Sequence, residues 1–167
     1  MGKFNDDLMF MLQTEILAKQ SHCQRLQVAA MIVKEGRILS IGYNGTPKGL
    51  DNCDDIFKNE DKSKKNFSKE HHIWSDIHEL HAEQNAISWA ARQGIAIKDA
   101  TIYVKYSPCR HCTKMIIASG IKRVVFLKKY DRDQEGLKIM EQANIEIIEL
   151  NYESYNNFKY KIIDSLK

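Results

Sequence analysis

Four side chains in two short segments have the types and spacing of a catalytic metal site. His81 and Glu83 lie two residues apart, whereas Cys109 and Cys112 lie three residues apart. Imidazole and thiolate are the ligands that zinc prefers, and a catalytic zinc keeps about three protein ligands and a water. His81, Cys109 and Cys112 can supply these ligands. Glu83 can then move the protons of the bound water, whose pKa zinc lowers from about 15.7 to about 7.

Each of these segments is predicted to lie at the start of a helix. Apolar periodicity predicts helices over 77–93 and 108–119, with a strand over 101–106 between them. His81 and Glu83 then lie in the first turns of one helix. Cys109 lies in the first turn of the other, where the helix dipole favours a thiolate, and Cys112 shares its face. The pattern H-x-E…P-C-x-x-C is the signature of zinc-dependent nucleobase deaminases. The alternatives to a catalytic zinc site are a structural zinc, a redox C-x-x-C pair and a chance group of core residues.

The rest of the chain is predicted to form an α/β fold around these segments. The predicted strands are 28–33, 37–43, 101–106, 123–127 and 145–150. The predicted helices are 4–19, 77–93, 108–119, 131–143 and 152–166. This alternation predicts a three-layer α/β/α sandwich, with helices on both faces of a mixed five-stranded sheet. We expect one domain over 1–167, with a polar, irregular insertion at about 48–76.

Composition and charge narrow the class of protein. The net charge is only +3, whereas a dedicated nucleic-acid binder usually carries a clustered basic face. Acidic residues interrupt the densest basic stretch, 58–69, so a solvated loop is expected there. No run approaches the ~18 apolar residues of a membrane span, and we recognise no secretory signal. We therefore expect a cytoplasmic protein in which the four cysteines serve metal binding rather than disulfides.

Four short segments resemble motifs of a known family, and the resemblance extends over roughly 21–150. The segments are HAEQNAI at 81–87, SPCRHCTK at 107–114, SGIKRVVF at 119–126 and GYNGTPKG at 42–49. Together they resemble the cytidine and deoxycytidylate deaminase family, whose fold is the expected sandwich. The last segment resembles a loop of the dCMP branch, which includes phage-type enzymes. One departure is Val28-Ala29-Ala30, where the family usually has Val-Gly-Ala, and it bears on the shape of the pocket.

The resemblance implies an activity and a catalytic residue. The expected reaction is zinc-dependent hydrolysis of dCMP to dUMP and ammonia, which supplies dUMP for thymidylate synthesis. In that reaction Glu83 is the proton carrier. The alternatives are a deaminase that acts also or mainly on dCTP, one that acts on another small substrate and, less favoured, one that acts on a base in nucleic acid. A non-catalytic zinc module is disfavoured because a structural site does not need Glu83.

The same resemblance implies contacts with the substrate. Asn44 is expected at the sugar, Tyr130 beside the nucleotide and Arg25 at the phosphate, to which its forked donors are suited. Ala82 and Ser107 complete the expected substrate-binding set. An exposed arginine and a turn-forming asparagine are the alternatives for Arg25 and Asn44.

Some phage-type members of the family carry a second, structural zinc. The matching positions here are Cys23, Cys53, His71 and Glu79. The histidines that could substitute for one of these ligands are His22, His72 and His78. Such a site would hold the long polar insertion against the core. A pair of buried free thiols is the alternative.

Regulation and assembly are also implied by the resemblance. Family members are often hexamers that dCTP activates and dTTP inhibits, so a homo-oligomer is expected and a hexamer is favoured. The expected effector loop contains Tyr43, Gly45 and Thr46, where a nucleoside triphosphate could bring Mg²⁺. Trp89 and Arg92 match positions linked to subunit contact and regulation. Their alternative is a core aromatic residue and a surface arginine.

Overall fold

The computed structural model describes residues 5–61 and 67–167, which form a mixed sheet between layers of helices. The five strands are β1 (Ala29–Lys34), β2 (Arg37–Tyr43), β3 (Thr101–Tyr106), β4 (Arg123–Lys128) and β5 (Glu146–Glu149). Their spatial order is β2-β1-β3-β4-β5. β1 is antiparallel to both β2 and β3, whereas β3, β4 and β5 are parallel. The predicted mixed five-stranded sheet is confirmed.

Helices cover both faces of this sheet. They are α1 (Asp6–Leu17), α2 (Cys53–Ile56), α3 (Phe67–His78), α4 (Ala82–Arg92), α5 (Arg110–Ala118), α6 (Glu135–Gln142) and α7 (Tyr152–Asp164). On one face, residues of α4, α5 and α6 pack against alternate strand residues such as Ile32 and Val104. On the other face, α1 and α7 pack against Met31 and Tyr103. This period-two division of the strands between two cores makes the three layers.

Small residues allow α4 to lie close to the edge of the sheet. Its buried alanines Ala82, Ala86 and Ala90 recur at four-residue spacing and so share one face. A Cβ added at Gly42 of β2 would lie 2.3 Å from the backbone nitrogen of Ala86. Only glycine fits there, and the close packing fixes the distance between β2 and α4, at whose start His81 and Glu83 lie.

The prediction of one irregular stretch over 48–76 was wrong. The segment contains α2 and most of α3. Polarity concealed α3 because it buries His71 while Ile73 and Ile77 are 53% and 70% exposed. The expected solvated loop at 58–69 lies partly outside the described residues, because these do not include 62–66. The first residue of the helix predicted over 4–19 lies outside them as well.

The single helix predicted over 77–93 was also wrong. α3 ends at His78 and α4 begins at Ala82. Between them Leu80 exchanges two backbone hydrogen bonds with Gly45, Gly45 N to Leu80 O at 3.2 Å and Leu80 N to Gly45 O at 2.9 Å. Because Leu80 pairs as an isolated bridge, the helix cannot continue through it. Elsewhere the predicted elements differ by four residues or fewer at their ends.

Among the described residues, no helix combines the length and the apolar character needed to cross a membrane.

Candidate active site

The first metal-ligating residue is placed by the start of α4. His81 has an extended backbone and is the N-cap of this helix, rather than part of its first turn as predicted. Its backbone nitrogen donates to Gln84 Oε1 at 2.8 Å. The preceding bridge at Leu80 and this cap together fix His81, so that its imidazole faces the start of α5.

The two cysteines are placed by the start of α5. Cys109 is the N-cap and Cys112 lies in the first turn, and both are buried. His81 Nδ1 lies 3.5 Å from Cys109 Sγ and 3.3 Å from Cys112 Sγ. A tetrahedral zinc with ordinary bond lengths separates its nitrogen and sulfur ligands by roughly 3.6 Å. The observed distances therefore fit a zinc bound by these three side chains.

The protonation of this triad also fits a cation. Hydrogen bonds from Cys112 and His81 lower the pKa of Cys109 to about 4. The adjacent Cys109 thiolate raises the pKa of Cys112 and, by hydrogen bonding, raises that of His81 to about 9. Cys109 thus carries the negative charge of the triad, and the protons of Cys112 and His81 stabilise it. A metal ion would take the place of these protons.

Glu83 is placed beside the triad by the first turn of α4. It is only 5% exposed. Burial raises the pKa of its carboxyl, while the nearby His81 opposes that rise. A buried carboxyl that holds its proton more readily than usual is suited to a role in proton transfer.

One pocket brings most of the predicted site residues together. The predicted residues in its lining are Arg25, Asn44, His81, Ala82, Glu83, Ser107, Cys109 and Tyr130, together with Cys23, His71 and Glu79. Tyr130 is held by Ser107, whose Oγ accepts a hydrogen bond from Tyr130 N at 2.9 Å. The lining combines apolar side chains with charged, polar and aromatic ones, among them Arg25, Asn44 and Tyr130.

Several further lining residues were not predicted to lie in the pocket. Those with polar or charged side chains include Ser75 and Asp76 on α3, Arg132 after β4, and His72, which the sequence offered only as a substitute metal ligand. The residues of α3 were missed because that helix was predicted to be irregular. Its buried or packed side chains Phe67, His71 and Trp74 recur at helical spacing, a signal that could have identified it. Arg132 had no signal in the sequence.

Asn44 is occupied by contacts within the protein. Its Oδ1 accepts from Val28 N and Ser21 Oγ, both at 2.8 Å, and its Nδ2 donates to Leu26 O at 3.0 Å. These bonds tie the end of β2 to the segment that carries Arg25. The predicted turn-forming role of Asn44 and a sugar contact both remain compatible with this position.

Comparison with known proteins identifies the family. Residues 4–128 match the model of the cytidine and deoxycytidylate deaminase zinc-binding region. The chain belongs to the cytidine and deoxycytidylate deaminase family. It is 37% identical to the deoxycytidylate deaminase of Enterobacteria phage T2 and 36% identical to that of phage T4, with 86% of this chain and 93% of each relative covered.

A solved member of the family has a similar fold. The dCMP deaminase from cyanophage S-TIM5, in complex with dCMP and dUMP, superposes with a TM-score of 0.69 at 33% identity. The match covers 85% of this chain and 94% of the cyanophage chain. The prediction of a zinc-dependent deaminase with a cytidine-deaminase-like fold is therefore confirmed.

This family member also has a second group of metal-ligating side chains. Cys23, Cys53 and His71 are all buried, and their ligand atoms lie within 4.8 Å of one another. His71 Nε2 is 3.5 Å from Cys23 Sγ and 3.1 Å from Cys53 Sγ. A hydrogen bond from Cys53 lowers the pKa of Cys23 to about 5, and the resulting thiolate raises that of Cys53. The group resembles the first triad and fits zinc on the same chemical grounds.

Glu79 lies outside this second triad but near it. Its Oε1 is buried and has no hydrogen-bond partner among the described residues, whereas Oε2 accepts from Ser75 Oγ at 2.6 Å. Burial raises the pKa of Glu79, and the negative charge of Cys23 adds to that rise. An orphaned buried carboxyl oxygen is expected where a metal supplies the missing partner.

The histidines considered as substitutes do not join the second triad. His22 Nδ1 pairs with Asp54 at 2.8 Å, and His78 Nδ1 lies 2.8 Å from Trp74 O. His72 lines the pocket. The assignment therefore remains with Cys23, Cys53 and His71.

The expected effector and interface residues lie outside the pocket. Gly45 pairs with Leu80, and Thr46 Oγ1 donates to Asn52 Oδ1 at 3.2 Å. Tyr43 is 36% exposed and Trp89 is 47% exposed. Arg92 lies over the Trp89 ring at 5.9 Å from its centroid. Trp89 is thus a surface residue rather than the core aromatic that was the alternative.

Proposed function

We propose that this chain catalyses the hydrolytic deamination of dCMP to dUMP and ammonia, and thereby supplies the precursor of thymidylate. The observation that carries this proposal is the buried Glu83 beside the His81, Cys109 and Cys112 triad, in a pocket that also contains Arg25. The family relatives support the substrate, because the two phage proteins are deoxycytidylate deaminases and the cyanophage protein binds dCMP and dUMP.

His81, Cys109 and Cys112 would hold the catalytic zinc. Bound there, zinc would act as a Lewis acid that makes water a nucleophile at neutral pH. The thiolates and imidazole are presented by two helix starts, whose dipoles stabilise negative charge at Cys109. Because His81 and Cys109 line the pocket, a base bound there would lie close to the zinc that this triad would hold.

Glu83 carries the protons in this reaction. Water adds to C4 of cytosine, and ammonia leaves. Glu83 takes one proton from the water, delivers it to the ring nitrogen and then passes a second proton to the departing amine. Its burial supports this role, because burial raises the pKa of the carboxyl and so favours its holding a proton between the two transfers.

The rest of the pocket suits a nucleotide. Arg25 lies at its exposed side and donates only a long hydrogen bond, 3.4 Å, to Ser68 O. Its guanidinium can therefore turn to a phosphate, for which it has bidentate geometry. Tyr130, held by Ser107, can pack beside the nucleotide, and the backbone at Ala82 can contact the base. Asn44 supports this set by holding the segment with Arg25.

A second, structural zinc at Cys23, Cys53, His71 and Glu79 is part of the proposal. Its support is the assembled triad with the orphaned oxygen of Glu79. This zinc would join three segments, the one before β1, α2 and α3. Since α3 lines the pocket, the site would also hold one wall of the pocket in place.

Assembly and regulation complete the proposal. The exposed Trp89 and Tyr43 support a homo-oligomeric interface along α4 and β2, with a hexamer favoured. The adjoining loop with Gly45 and Thr46 is proposed to bind dCTP or dTTP as effectors, with Mg²⁺ on the triphosphate. Location in the cytoplasm stays a prediction from the sequence.

Ammonia release and zinc content, measured on one preparation, test the function. The substrates are dCMP, dCTP, cytidine and single-stranded DNA. We expect dCMP to be preferred, with activity dependent on bound zinc. Preference for dCTP would move the substrate to the triphosphate, and activity on DNA alone would contradict the proposal.

A further inference from the structure

The loop after β4 brings a second arginine to the pocket. β1 is antiparallel to β3, with Ala30 opposite Val104, whereas β4 is parallel to β3, with Tyr106 beside Lys128. The beginning of β1 and the end of β4 therefore lie on either side of the carboxyl end of β3. Arg25 precedes β1 and Arg132 follows β4, so both arginines reach the pocket lining from opposite sides.

The loop that carries Arg132 is tied to the zinc-binding segment. Tyr130 N donates to Ser107 Oγ at 2.9 Å. Asp133 has a side chain only 12% exposed, and its Oδ2 accepts from Arg110 N at 3.1 Å. Arg132 lies between these two attachments. The position of its backbone relative to the zinc ligands is therefore set by the protein before any substrate binds.

A close contact at Gly136 strengthens this attachment. A Cβ at Gly136 would lie 2.2 Å from Pro108 O and 2.8 Å from Thr113 Oγ1. The start of α6 thus packs directly against the start of α5, which bears Cys109. The loop over 129–134 is held at both ends by the segment that binds zinc.

The guanidinium of Arg132 is left available for a ligand. Within the described part of the chain, Arg25 and Arg132 form no ion pair with a carboxylate, whereas nearby Arg110 lies 3.8 Å from Asp133. Both guanidiniums lie close enough to Tyr130 to affect the pKa of its hydroxyl. Burial raises this pKa, and the positive charges of Arg132 and Arg25 oppose that rise. Two unpaired guanidiniums beside one tyrosine hydroxyl match a doubly charged phosphate.

We propose that Arg132 binds the 5′-phosphate of the nucleotide together with Arg25, and so determines the preference for a nucleotide over a nucleoside. This inference rests on the proposed deamination of a cytosine nucleotide and adds a recognition residue to it. Arg132 does not take part in the chemical step. Its effect is confined to substrates that carry the phosphate.

Kinetics with and without the phosphate test this role. The zinc-loaded full chain and Arg132→Gln are compared on dCMP and on deoxycytidine. We expect the variant to lose about 10- to 100-fold in kcat/KM for dCMP, mainly through KM, with deoxycytidine unchanged. Arg132→Lys should retain part of the preference, because charge remains without the bidentate geometry.

The control is Arg37→Gln, which removes an exposed arginine from β2, away from the pocket, and should change neither substrate. Equal losses on dCMP and deoxycytidine, or no loss on dCMP, would overturn the proposal. Zinc content is measured for each variant, so that damage to the metal site is recognised.

Binding of product separates this inference from the proposed function. If the wild-type chain deaminated neither dCMP nor deoxycytidine, the proposed function would fail. Calorimetry with dUMP and deoxyuridine would still decide the role of Arg132. Weaker binding of dUMP alone in Arg132→Gln supports the role, and unchanged binding of dUMP contradicts it.

Discussion

At the scale of single residues, the two metal-ligating triads have the same electrostatic design. In each triad one thiol is acidified by hydrogen bonds from its neighbours, and the other holds its proton more firmly. The difference between them is the carboxyl nearby. Glu83 faces the pocket beside the first triad, whereas Glu79 has a buried, unpartnered oxygen beside the second. We propose that this carboxyl distinguishes a catalytic first site from a structural second one.

Glu83→Gln tests the catalytic role. The amide keeps the size of the side chain but cannot exchange protons, so kcat is expected to fall about 10²- to 10⁴-fold. Zinc content and the unfolding temperature should stay near those of the wild type. Glu141→Gln, an exposed change of the same type on α6, is the control and should remain active. Full activity in Glu83→Gln would exclude it as the proton carrier.

Zinc content of Cys53→Ser tests the second site. Because Cys53 belongs to the second triad alone, the variant is expected to lose the proposed structural zinc and to keep the catalytic one. Glu79→Gln should weaken the same zinc without abolishing it, since the triad remains. Unchanged zinc content in Cys53→Ser would remove the second metal from the proposal.

At the scale of secondary structure elements, one carboxylate joins α1, β3 and α7. Glu15 of α1 accepts hydrogen bonds from Lys105 of β3 at 2.9 Å and from Lys159 of α7 at 2.6 Å. Tyr155 of α7 donates to it at 2.8 Å. Burial by itself would raise the pKa of Glu15, but these bonds outweigh it and lower the pKa to about 2. The network fixes the layer of helices opposite the active site.

Glu15→Gln is therefore expected to destabilise the fold by about 1–3 kcal/mol at pH 7, as measured by urea unfolding. Because the folded pKa lies below the unfolded value of 4.5, Glu15 stabilises the fold above that pH. Its contribution declines as the pH falls through the range from 4.5 to about 2. The difference between variant and wild type should shrink over the same range. Glu153→Gln, exposed on α7, is the control, and a pH-independent difference would contradict the assignment.

At the scale of the whole molecule, the second triad connects segments that are distant in sequence. Cys23 precedes β1, Cys53 begins α2 and His71 lies on α3. Among the described residues, the apolar cluster around this triad is small and consists of the two cysteines, Phe57 and Phe67, with Trp74 packed against it. A bound metal would therefore supply much of the free energy that orders this part of the chain.

Removal of metal by a chelator should loosen this region. We expect the unfolding temperature to fall by several degrees and proteolysis to increase between about 50 and 78, because metal binding stabilises the folded state by mass action. Cys53→Ser is the matched control, since it already lacks the second metal and should respond less. An identical response of both proteins would place the effect at the catalytic site instead.

The sequence by itself determined the chemistry and the family. His81, Glu83, Cys109 and Cys112 lie in short motifs at helix starts, where local spacing and the helix dipole specify the ligands. Local periodicity likewise predicted most of the helices and strands, and their order along the chain predicted the mixed sheet. These features depend on neighbours within a few residues, so they can be read without knowledge of the fold.

Only the tertiary structure decided which elements line the pocket. α3 was hidden because its buried face includes a histidine and its exposed face includes isoleucines. The split between α3 and α4 depends on Leu80 pairing with Gly45, 35 residues earlier. Arg132 reaches the pocket because β4 runs parallel to β3, so that the loop after β4 lies beside the carboxyl end of β3, where antiparallel β1 begins. The bridge between Leu80 and Gly45 and the placement of Arg132 join residues far apart in the chain, and local periodicity carries no information about them.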